Sequence, residues 1–157
     1  MINIQRYREM LVELKERVNK VSRTKIDGTV IAVSEKHLVK QLRDCTGLML
    51  CANYPDAVSQ GNEDNYRERN SLLLFLIEKV PSGQETDEEE LLHYARIQQV
   101  MQLLKTKLRE MDFFCGEVEG AESMTVEWEY DVFGGWNGMS IGLNLVDYDL
   151  SLIHISE

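Results

Sequence analysis

The stretch that most restricts the fold is 124–147, where apolar residues fall on every second position either side of a glycine pair. Met124, Val126, Trp128, Tyr130 and Val132 alternate with Thr125, Glu127, Glu129 and Asp131, and Met139, Ile141, Leu143 and Leu145 alternate in the segment that follows. A period of two sends successive side chains to opposite faces of a strand, so each segment has one apolar face. Glycines take the positive φ of a tight turn, and Gly134-Gly135 therefore predicts a hairpin of strands 124–133 and 137–147. With that pair as a two-residue turn, opposed residues sum to 269: Tyr130 faces Met139, Trp128 faces Ile141, Val126 faces Leu143 and Met124 faces Leu145. Every apolar position then meets an apolar partner. A turn at Asn137-Gly138 keeps the same faces inward but sets Trp128 against Asp147, which favours the glycine pair. Phe133 and Trp136 then sit together at the hairpin tip, on the face away from the core.

A sheet with one apolar face needs a cover, and two helical stripes supply it. Ile4, Tyr7, Leu11, Leu14, Val18 and Val21 recur at spacings of three and four, so 3–21 reads as an amphipathic helix; it is charged throughout, unlike a secretory signal. Tyr94, Ile97, Met101, Leu104, Leu108 and Met111 form a second stripe over 86–112. That helix opens on a Thr86/Glu89 capping box, with Asp87 to Glu90 where the helix dipole favours acids. Between these helices, 29–33 is a β-branched run, Ser34 caps a short helix over 35–44, and 47–54 and 71–80 are apolar strands. The polar segment 55–70 reads as a long connecting loop. The fold expected is α+β: one domain over 1–149, with a single antiparallel or mixed sheet of four to five strands packed on two long helices.

The chain has 157 residues, 43% hydrophobic and 28% charged, an ordinary globular composition. Its 27 acids against 17 bases give a net charge of -10, which repels phosphate backbones and anionic lipid. Neither nucleic acid nor membrane is an expected partner. The mixed-charge first helix, with Arg6, Arg8, Lys15 and Arg17 among Glu9, Glu13 and Glu16, reads as a solvated face. The last eight residues, Leu150-Ser-Leu-Ile-His-Ile-Ser-Glu157, resemble an in-frame translation of the transposase mosaic-end adapter used for sequencing libraries. Without Glu157 the balance is 26 acids against 17 bases, or -9.

No catalytic residue, cofactor, metal or small-molecule substrate is expected. Cys45, Cys51 and Cys115 are odd in number and lack a Cys-x-x-Cys pair, which points to free thiols. Glu90 and His93 have the spacing of a di-iron helix step, but such sites need a second step, so the pair reads as a solvated first turn. Gly134-Gly-Trp-Asn-Gly138 lacks the Lys-Ser/Thr ending of a phosphate loop and joins two strands. Aromatic residues at a loop tip are enriched in protein interfaces, which marks Phe133 and Trp136 as candidate contact residues.

Four stretches carry a resemblance: Thr29-Val-Ile-Ala-Val33 before a short helix, Gly47-Leu-Met-Leu-Cys51, the strand ending Phe75-Leu-Ile-Glu-Lys79, and Trp136-Asn-Gly138 leading into an alternating strand. With the order of elements, they resemble small proteins of Bacteroides-type prophages that are themselves similar to phage tail-completion, or tail-terminator, proteins. The resemblance covers 29–147 and leaves helix 3–21 unmatched. It implies a non-enzymatic structural subunit of tail assembly or head-tail joining that self-associates as a ring, often sixfold. Its partners would be copies of itself and other tail or neck proteins, and its place the bacterial cytoplasm or the virion. The surfaces expected to make contact are sheet edges, the tip residues Phe133, Gly134, Gly135, Trp136 and Asn137, and the 55–70 segment with Tyr66. The alternative is a monomeric adaptor or regulatory module that binds a protein through the Phe133/Trp136 tip or the first helix.

Overall fold

A computed structural model describes residues 1–62, 65–80, 85–111, 117–118 and 124–148. Cys115 and the adapter-like segment 150–157 lie outside the described residues. The elements follow in the order α1 (Ile4–Val21), β1 (Gly28–Ala32), α2 (Glu35–Leu42), β2 (Leu48–Asn53), β3 (Asp56–Asn62), β4 (Asn65–Lys79), α3 (Asp87–Glu110), β5 (Glu117–Val118), β6 (Thr125–Val132) and β7 (Trp136–Tyr148). The fold is α+β. Ser34 and Thr86 cap their helices as the sequence expects, accepting from the N–H groups of His37 and Glu89, and Asn3 caps α1, accepting from Gln5 and Arg6. α2 and α3 end at Leu42 and Glu110, short of the expected 44 and 112.

The strands form one mixed sheet of seven, more than the four to five expected. β1 and β2 run parallel, with α2 making the crossover between them, and the other pairings are antiparallel. β4 and β7 form the centre, paired from Arg67↔Tyr148 to Lys79↔Trp136. Along the outer side of β4 come first β2 and then β3, and along the outer side of β7 come β6 and β5. The two centre strands approach so closely at Gly138 that a Cβ there would collide with the Leu76 carbonyl oxygen.

Two sequence expectations are corrected here. The segment 55–70 is not a loop: β3 and the first part of β4 pair from Asp56↔Ser71 to Asn62↔Asn65, with Tyr66 opposite Gly61. Backbone pairing holds this polar ribbon, so the hydrophobic pattern that announces a half-buried strand is missing from it. The hairpin register is also displaced by two residues, with Trp128 opposite Met139 and Val126 opposite Ile141. The turn takes three residues, 133–135, between Val132 and Trp136, and β6 carries one extra residue between Glu129 and Val132. This bulge uses positive φ at Asp131, and Phe133, Gly134 and Gly135 continue the left-handed turn. A slip of two leaves the faces of 124–129 unchanged, which is why alternation could not detect it.

The core has two parts. On one face, Tyr7, Leu11, Leu14 and Val18 of α1 and Ile97, Met101, Leu104 and Leu108 of α3 meet Leu48, Leu50, Leu72, Leu74, Leu76, Met139, Ile141 and Leu143 of the sheet. Each such side chain contributes about 1.5–3 kcal/mol by leaving water. On the other face, α2 covers one end of the sheet, where Leu38 and Leu42 join Ala32, Met49, Cys51, Ile77 and Trp136. The unbroken apolar run 48–51 is the mark of a strand covered on both sides.

Candidate interaction surface

The hairpin tip is not an exposed aromatic pair. Trp136 is 1% exposed and belongs to the α2-side core. Phe133 is half-buried against the same cluster and meets Phe75 edge-on, with ring centroids 4.8 Å apart. The expectation that both lie on a face away from the core is corrected: α2 covers that face of the sheet and turns it into a second core. The bulge adds the second cause, because one extra residue in β6 moves Val132 onto the α2 side beside Trp136. Asn137 is committed locally, its Oδ1 accepting from the Asp131 N–H at 2.6 Å. Gly134 is exposed, and Gly135 is half-buried beside Lys79. Tyr66 lies on the β3–β4 ribbon, away from the tip.

Exposed aromatic surface appears instead further along β6. Trp128 is 55% exposed and Tyr130 70%, where the alternation pattern had expected core residues. The cause is coverage: α1 lies over β1 and β2, and α3 over β4 and β7. Two helices at the usual 8–10 Å spacing shade about four strands, and β6 is the fifth column of the sheet. Val126 and Met124 reach the margin of the core, but Trp128 and Tyr130 do not. The first turns of α3 carry Leu91, 69% exposed, and Leu92, both outside the helix's buried stripe. Tyr94 joins helix and strand: its hydroxyl donates to the Glu129 carbonyl at 2.8 Å, and its ring meets Trp128 edge-on at 5.7 Å. Burial and then the Glu90 carboxylate push the Tyr94 phenol above its usual range.

Beside this surface lies a polar cluster. His93 is buried rather than solvated, and its partner is not Glu90: its Nε2 lies 3.2 Å from a Glu78 carboxylate oxygen, which Arg96 also contacts. The hydrogen bond with His93 lowers the Glu78 carboxyl below its usual range, helped by the Arg96 charge and opposed by desolvation. Among the described residues no three His, Cys, Asp or Glu side chains gather as a metal site, and no helix is long and apolar enough to cross a membrane. Cys51 is buried, which pushes its thiol pKa up, and Cys45 is half-buried. The other described histidine, His37, braces α2: Nδ1 accepts from the Val33 N–H at 3.0 Å, and Nε2 lies 3.1 Å from the Gln41 amide. On α1, the Arg17 guanidinium pairs with Glu13 one turn back.

No protein-family model matches the chain, and no curated protein matches it. The aromatic edge of β6 is thus identified by geometry alone. Its signal was available in the sequence: Leu91 and Leu92 fall outside the stripe that places the rest of α3 on the sheet.

Proposed function

We propose that this chain is a non-enzymatic structural subunit that self-associates during assembly of a phage or prophage tail, or of the joint between head and tail. One observation carries the reading. An outer strand, β6, holds Trp128 and Tyr130 in solvent, with Tyr94 of α3 against the Trp128 ring. Large aromatic side chains at the open side of a sheet gain most when a partner strand covers them, by burying area and by pairing backbone groups. The resemblance to tail-completion proteins supplies the biological setting, in the host cytoplasm or the virion, with other tail or neck proteins as further partners. A monomeric adaptor would use the same edge, not the tip, because Trp136 is already packed.

Sedimentation velocity over a wide concentration range tests this. The wild-type chain is expected to form oligomers that Trp128→Glu abolishes without loss of fold. A chain that remains monomeric at its highest soluble concentration contradicts the reading and leaves the adaptor.

A further inference from the structure

Two edges of the sheet lie among opposite charges: β6 is itself acidic, while β1, which has no charged residue, is flanked by basic segments. At one end, β6 presents Glu127, Glu129 and Asp131, and the first turn of α3 adds Asp87, Glu88, Glu89 and Glu90. Neither β6 nor 87–95 contains a lysine or arginine. Tyr94 fastens these two acidic segments together through the Glu129 carbonyl. The nearby bases at this end are Lys79, beside the turn, and Arg96, held on Glu78. At the other end, β1 lies between two basic segments. Lys20, Arg23 and Lys25 cluster around the end of α1, and Lys36, Lys40 and Arg43 lie on or just after α2, all six exposed. Asp27, Glu35 and Asp44 are the acids among them. In a chain of net charge -10 this separation is not a consequence of composition.

We propose that copies of this chain associate head to tail, the β6 edge of one copy pairing with the β1 edge of the next so that the sheet continues through the contact. This rests on the self-association reading above and specifies the two surfaces involved. Three features support the pairing. Among the described residues, β1 pairs only with β2 and β6 only with β7, so each has an open side. Strand direction fits: β1 and β2 are parallel and every further step to β6 reverses, so β6 runs antiparallel to β1 of a copy in the same orientation.

The faces fit as well. Glu129 accepts from Ser140 Oγ at 2.9 Å, on the α2 side of the sheet, so Glu127 and Glu129 would meet the neighbour's Lys36, Lys40 and Arg43. Trp128 lies on the α3 side with Tyr94, where the neighbour's α1 ends in exposed Lys20 and Val21, a cation and an apolar surface suited to an indole. Pairing β6 with a second β6 would instead set acid against acid. A contact between two different patches is heterologous and builds a ring if it closes, or a filament if it does not.

Two blocked chains test it. Glu127→Lys with Trp128→Lys disables the β6 edge, and Lys40→Glu with Arg43→Glu disables the β1 side; circular dichroism checks that each is folded. Sedimentation velocity and native mass spectrometry are expected to show wild-type oligomers of more than two copies, with a dissociation constant on the order of tenfold weaker at 0.5 M than at 0.05 M salt. Each blocked chain alone should be monomeric, and their mixture should give a one-to-one dimer and nothing larger. That dimer also shows that each variant keeps its other edge competent. If wild type associates but the Lys40→Glu/Arg43→Glu chain associates equally well, or folded blocked chains fail to dimerise on mixing, head-to-tail pairing is overturned while self-association stands. A monomeric wild type overturns both.

Discussion

Trp128 and Trp136 sit eight positions apart on the two arms of one hairpin, and their surroundings are opposite. Trp136 fills a core beneath α2; Trp128 stands in solvent beside Tyr94. Distance from the turn suggests the reverse, since tips are exposed and strand interiors are buried. What decides is which helix reaches which column of the sheet. α2 crosses between the parallel pair β1 and β2 on the face that α1 and α3 leave open, and Trp136 at the start of β7 falls under it. β6 is touched by α3 at Tyr94 but is not covered by either long helix, so Trp128 and Tyr130 stay exposed. A tryptophan in the first situation stabilises the monomer, and one in the second is available to stabilise an assembly.

Substitution should separate those two roles. Trp136→Ala removes a fully buried indole and is expected to cost about 3–5 kcal/mol in urea unfolding. Trp128→Ala should change the monomer's unfolding free energy by less than about 1 kcal/mol, as for an exposed position, while weakening association. If the two costs prove equal, the contrast between the tryptophans fails. Gly138→Ala comes next, at about 1–3 kcal/mol, because the new methyl group would press on the Leu76 carbonyl and the two centre strands would have to part. A neutral result there would mean that β4 and β7 are further apart than described.

The bulge that sorts the hairpin's side chains has a smaller signature. Asn137→Ala removes the acceptor for the Asp131 N–H and is expected to cost about 1 kcal/mol. Its diagnostic consequence is a change in the amide shifts of 130–133 without change at 124–127. The smallest effect is confined to acid. Glu78 has a folded pKa below its ordinary 4.5, so its contribution is present above that value and is lost as pH falls below it. The stability difference between wild type and Glu78→Gln should therefore shrink as pH falls below about 4.5. A difference independent of pH would remove the Glu78–His93–Arg96 cluster from the account of how α3 is fixed to β4.

Much of this architecture is legible in the sequence because the signals are local. The stripe from Tyr7 to Val18, the cap at Thr86 and the alternation at 124–132 each reflect one element and one face. The failures share a different cause. Whether β3 exists depends on backbone pairing between polar segments that carry no periodic pattern. The register of β6 depends on one inserted residue near Asp131, and a slip of two is invisible to a period of two. The exposure of Trp128 depends on how many strands two helices can cover, a property of the whole sheet. The exposed aromatic surface was not legible: the tip residues Phe133 and Trp136, expected to be free, pack on the α2 side, while Trp128 and Tyr130, which alternation places in the core, are the exposed ones.

The most direct test of the central claim follows both tryptophans in one molecule. The chain contains only two, so 5-fluorotryptophan labelling gives two 19F resonances, assigned with Trp128→Phe. In dilute protein the Trp128 resonance should shift on exchange of H2O for D2O and the Trp136 resonance should not. At concentrations where oligomers form, the Trp128 solvent shift should disappear while Trp136 is unchanged. A Trp128 solvent shift that persists undiminished in the assembled state would contradict the assignment of the β6 edge as the surface through which this protein associates.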